Sequence, residues 1–174
     1  MKPLLRSCFA LVVAVAALVL PAGASAAPAS TSFAIVGYEY AFTSTVGSFA
    51  GTGAGNAGDT AAWNTRVEHD PLGSMPTYVN GGTFQMATRS PTWHVDTVTG
   101  TFVYQGGMIT TLNSGPNCTN QQFRVTGRLQ NVSTTTTSGG TGTFAATLTH
   151  FRTSLFGRCV IYAARVAGMV TFVY

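Results

Sequence analysis

Three histidines, His69, His94 and His150, are the only side chains in this 174-residue chain whose ordinary titration lies near neutral pH. Two of them sit beside acids, in Glu68-His69-Asp70 and His94-Val95-Asp96. General acid–base chemistry is what such residues do best, so His69 and His150, with Arg152 to hold an anion, are the candidate catalytic set. Strand parity puts His69 on the face of Trp63 and Val67, and His150 on the face of Phe144 and Leu148. A histidine ending an apolar face also serves as a hydrogen-bonded core or rim residue, and that structural reading stands beside the catalytic one. Trp63 and His69 are six apart, as are Phe144 and His150, an internal echo whose two pairs lie 81 residues apart.

Other chemistries find less support. No two histidines stand within a few residues of each other as in HxxxH, so neither a metal nor any other cofactor is expected. Glu68 and Asp70 share a strand face at a spacing a glycosidase could use, but nothing around them points to a raised pKa. Ser48 and Ser114 lack the GxSxG elbow. Lys2 is the only lysine, which removes P-loop chemistry, and Schiff-base chemistry too if the N-terminal segment is cleaved. For binding rather than catalysis, Trp63, Trp93, Tyr78 and Tyr162 are the candidate ligand contacts, suited to lining a pocket or stacking on a sugar ring.

These residues need a scaffold, and the composition names its class. The chain holds 27 threonines and 20 glycines, the first suited to pleated sheet and the second to tight turns. Charged helix formers are almost missing: Asp and Glu together number 5. The N-terminus carries Lys2 and Arg6, an apolar run from Phe9 to Leu20, and small residues ending at Ala26, the pattern of a cleaved signal peptide. The run is shorter than the roughly 20 residues of a spanning helix, so no membrane span is expected in the mature chain. Export, secreted or otherwise extracytoplasmic, suits the cysteines, because Cys118 and Cys159 are the only two beyond the leader and are expected to pair. The Ala-, Thr- and Gly-rich, lysine-poor usage is that of a GC-rich bacterium. The seven arginines beyond the expected leader are scattered and make no basic stripe, which argues against nucleic-acid binding.

The organisation expected is a signal peptide over 1–26, a flexible tail over 27–32 and one domain over 33–174. Alternation is clearest over 61–69 and 121–131; the latter has Phe123, Val125 and Leu129 on one face and Arg124 and Arg128 on the other. The Gly-rich 51–58 reads as a flexible loop and 70–76 as a turn, with strands resuming at 83. Eight to ten strands result, giving an all-β single antiparallel β-barrel or a two-layer β-sandwich. The leading functional reading is a non-catalytic extracellular or envelope-associated module that binds a small molecule or glycan. The alternatives are a secreted enzyme using His69, His150 and Arg152, and a small outer-membrane β-barrel, suggested by the alternating aromatic ending at Tyr174.

Overall fold

A computed structural model describes residues 29–73 and 76–174, so the expected signal peptide lies outside the described residues. Among the described residues nine strands form: β1 (Ser30–Phe42), β2 (Val46–Gly55), β3 (Thr60–His69), β4 (Thr77–Arg89), β5 (Val95–Phe102), β6 (Gly107–Asn113), β7 (Gln121–Ser133), β8 (Gly140–Leu155) and β9 (Arg158–Val173). All pairings are antiparallel, and the first strand pairs with the last, from Ser30 opposite Val173 to Tyr38 opposite Arg165. Residues 30–32, expected in a tail, therefore belong to β1; Ser32 Oγ lies 2.8 Å from Thr171 Oγ1.

The sheet closes on itself as a barrel with eight wall positions. Between β4 and β7 the fifth position is filled by two strands end to end. β5 pairs with the later part of β4, and β6 with its beginning. Both continue onto β7 on their other side. The sandwich alternative is thereby set aside.

An eight-stranded barrel encloses just enough space for side chains to fill. Here Phe33, Phe84, Phe172, Met86, Leu129 and Val79 are fully buried along its axis. Phe84 bridges the two echoing strands, stacked on Trp63 at 6.3 Å and edge-on to Phe144 at 6.4 Å. The opposite parity faces out, with Asn64 and Arg66 on β3 and Arg124 and Arg128 on β7 exposed.

Two segments depart from expectation, both through glycine. Most of the Gly-rich run is not a loop but the second half of β2. Gly51 lies opposite both Gly37 and Trp63. A Cβ on Gly51 would overlap the Val36 carbonyl, and one on Gly37 would strike the Trp63 indole ring. The two glycines thus make room for the tryptophan, whose Nε1 donates to the Thr52 carbonyl at 2.9 Å. Likewise Asn80-Gly81-Gly82 does not break the chain: β4 runs through it from Thr77. A bulge at Asn80 takes up one residue, and so Val79 before it and Phe84 after it both point inward.

Candidate functional site

The two ends of the barrel differ in chemistry. One end, here the mouth, gathers the ends of β1, β3, β6 and β8 and the starts of β2, β4, β7 and β9. β3 and β8 are four positions apart in the ring of eight, on opposite walls, and both run toward the mouth. His69 closes the inward face of one and His150 that of the other, and both are buried in the same small cavity. The echo in the sequence is thus a real spatial relation, two histidines facing across the barrel.

Sequence reasoning missed the third polar group, Glu39. It sits on the inward parity of β1, after Phe33, Ile35 and Gly37. Its Oε2 lies 3.3 Å from His150 Nε2, and the two side chains are only 6% and 7% exposed. The signal was a carboxylate in phase with an apolar face. The contact is close enough for ionic attraction but not aligned as a hydrogen bond, and neither His150 ring nitrogen has a hydrogen-bond partner. The Phe123 ring meets the imidazole edge-on at 5.4 Å. His69 is tied more firmly, its Nδ1 lying 2.7 Å from the Asp70 carbonyl. That oxygen only accepts, so Nδ1 carries the proton.

Apolar side chains surround these groups. The inner cavity, about 40 Å³, is lined by Phe42, Phe49, Val67, Ile109, Val125 and Leu148, with Thr43 beside Glu39, His69 and His150. It has room for about one water. An outer cleft of about 450 Å³ shares Phe42, Thr43, Leu72 and His150 with it and adds the apolar Phe123 and Ile161 and the polar Ser44, Thr111 and Gln121. Phe42 reaches the mouth because of a second bulge. The β1–β2 register slips between Glu39 and Ala41, which puts Phe42 opposite the buried Gly47.

Arg152 takes no part in this site. Its Nη1 donates to the carbonyls of Ser114 and Gly115 at 3.2 and 3.1 Å, and its Nε to Cys159 Sγ at 3.0 Å. It pins the loop before β7 to the β8–β9 hairpin, beside the Cys118–Cys159 disulfide that makes the same connection. The predicted cysteine pairing is present, with Cα atoms 5.5 Å apart.

The aromatic candidates do not converge. Trp63 is core. Trp93 is 71% exposed at the far end of the barrel, covered on one face by the Arg89 guanidinium at 3.5 Å. Tyr162 is exposed against Phe151 on the outer wall. Tyr78 is partly buried, and its backbone N–H donates to Asp70. The carboxylates Glu68 and Asp70 are also committed elsewhere. Glu68 pairs with Arg66 on the outside. Asp70 is held below the usual carboxylate range by the Tyr78 N–H and the Asn80 amide.

The far end is polar. Burial pushes the Asp96 carboxyl upward, but hydrogen bonds from the Thr135 N–H and hydroxyl and from the Thr97 N–H outweigh it and hold it below 3.8. Close by, burial and then the charge of Asp96 push the Tyr174 phenol up to about 12. His94 lines this end, away from the other two histidines. Among the described residues no group of three or more His, Cys, Asp or Glu side chains is placed to hold a metal ion.

Compared with protein-family models, with curated proteins and with solved structures, the chain shows no match.

Proposed function

We propose that this protein binds a small, mostly apolar molecule in the cleft at the barrel mouth and reads one polar group of that molecule with Glu39 and His150. The observation that carries this reading is the buried His150 imidazole at the floor of the cleft, whose two nitrogens make no hydrogen bond and meet only the Glu39 carboxylate. A buried polar group without a partner costs about 1–3 kcal/mol, and a ligand that supplies the partner recovers it. A neutral imidazole offers one donor and one acceptor, which suits a hydroxyl or carbonyl oxygen. The cleft volume falls in the range of small-molecule sites, about 300–1,000 Å³. Phe42, Leu72, Phe123 and Ile161 give such a ligand apolar wall beside the hydroxyls of Thr43, Ser44 and Thr111. The exposed candidates Trp93 and Tyr162 are engaged separately, by Arg89 and by Phe151, rather than as one stacking platform for a glycan. Outward-facing Arg66, Arg124 and Arg128 support a barrel wall in contact with water rather than one buried in an outer membrane.

The test is fluorescence titration with N-phenyl-1-naphthylamine, then displacement by matched apolar alcohols, ketones and alkanes. Alcohols and ketones are expected to displace the probe about tenfold better than alkanes in the native protein, and equally in H150F. A probe that never enters, or an unchanged preference in H150F, overturns the reading.

A second reading rests on the Glu39–His150 contact itself. A carboxylate and an imidazole at 3.3 Å in an apolar niche form a proton-transfer pair, which would make the protein an enzyme with Glu39 in place of Arg152. Catalysed exchange of α-protons of a bound ketone into deuterium oxide, lost in E39Q, is its signature.

A further inference from the structure

We propose that the mouth end of the barrel docks on the surface of an anionic lipid bilayer. Large exposed apolar side chains are unevenly distributed between the two ends. Phe42 from β1, Leu72 from the β3–β4 connection, Leu112 from β6, and Leu155, Phe156 and Ile161 from the β8–β9 hairpin all stand around the mouth. At the far end only Trp93 and Val95 are comparably exposed among the described residues, and the Trp93 ring is already covered by Arg89. The turns there are polar, as in Asn56-Ala57-Gly58-Asp59 and Thr134 to Thr137.

The hairpin shows what kind of partner fits. β8 and β9 pair out to Leu155 opposite Arg158, leaving Phe156 and Gly157 as a two-residue turn. Both have left-handed backbone, φ 49° and 74°, as the tightest hairpin turns require. Phe156 is 96% exposed at the tip of this projection. A side chain that protrudes alone has no flat surround on which a rigid protein partner could seal, but a fluid interface closes around it. Aromatic and aliphatic side chains gain by entering the headgroup and acyl boundary.

The charge supports the same partner. Arg158 flanks the apolar tip, Arg152 lies behind it, and residues 151–162 contain no acid. Of the acids nearest the mouth, Glu39 is buried against His150, Glu68 is paired with Arg66, and Asp70 follows β3, on the wall opposite the hairpin. A cation beside an apolar tip draws it toward anionic headgroups, each contributing about 1 kcal/mol near the surface. The disulfide and Arg152 brace the hairpin to the neighbouring loop, so the tip is presented without a large ordering cost on docking.

The proposal is independent of what the cleft binds, though a mouth held at a bilayer would open directly toward apolar compounds dissolved in it. It is tested by flotation of the oxidised protein with vesicles of phosphatidylcholine alone and of phosphatidylcholine mixed with phosphatidylglycerol. Binding to the mixed vesicles is expected, weakened by salt. The double variant L155S/F156S should lose about tenfold or more in partitioning, and R158Q about fivefold. W93S, altered at the other end, should bind as the parent does. Circular dichroism and thermal melts confirm that the variants fold. No partitioning by the parent, or unchanged partitioning by L155S/F156S, overturns the proposal. So does a dimer in sedimentation that this variant dissolves while vesicles capture neither form, because the apolar ring would then cover a second copy.

Discussion

At the scale of single residues, environment rather than type separates the titratable groups. Tyr174 and the exposed tyrosines share one phenol chemistry, yet burial and Asp96 push Tyr174 up to about 12. A group whose folded pKa is raised contributes stability that is fully present below its unfolded value, near 10, and is lost as pH rises through the folded one. Between about pH 10 and pH 12, then, the barrel should lose stability through Tyr174, and Y174F should remove that part of the alkaline slope. Urea melts across the range read this directly. If Y174F keeps the parent slope, the phenol is not the group responsible. Of the site, His69 and His150 were legible because parity placed both on apolar faces. Glu39 was missed: its phase with Phe33, Ile35 and Gly37 in FAIVGYEYAF is the only signal, and its partner His150 comes to it only through barrel closure. Arg152 misled for a related reason, since its partners are carbonyls of a loop remote in sequence.

At the scale of elements, glycine caused most of the differences between expectation and structure. The alternation of β3 and β7 can be read because each inward position is apolar and each outward one polar. β2 offers no such contrast in Gly51-Thr52-Gly53-Ala54-Gly55, where the missing side chains are themselves the packing device. Gly51→Ala should therefore cost about 3 kcal/mol despite adding one methyl, because the clash is with the backbone of β1 rather than with a movable side chain. A chemical melt measures it, and a neutral result would mean that β1 and β2 can move apart at no cost. The cross-link belongs to this scale as well. Closing 41 residues between Cys118 and Cys159 contributes about 4 kcal/mol on the chain-entropy model. The C118S/C159S variant should be destabilised by about that amount, and the mouth loops should exchange amide protons faster than the far end, as read by hydrogen exchange.

At the scale of the whole molecule, the composition indicated an all-β fold with enough strands to close, but not whether they close. Barrel and sandwich use the same alternation, and the choice depends on whether β1 finds β9, a pairing between segments more than 120 residues apart. No local pattern encodes that. The polarity of the two ends is also a whole-molecule property. Apolar tips and a buried acid–imidazole pair collect at one rim, while threonine-rich turns collect at the other. The two proposals, a ligand cleft and a lipid-facing rim, stand at the same end and can fail separately, one by probe displacement and the other by flotation.

The pairing of β1 with β9 also sets a timetable for assembly. Until the last sixteen-residue strand exists, the other strands form an open ribbon with β1 and β8 as bare edges, each able to recruit a foreign strand. The barrel has no free edge only once β9 has paired with β8 on one side and with β1 on the other, and the β1 contacts, of longest sequence separation, are the slowest to form.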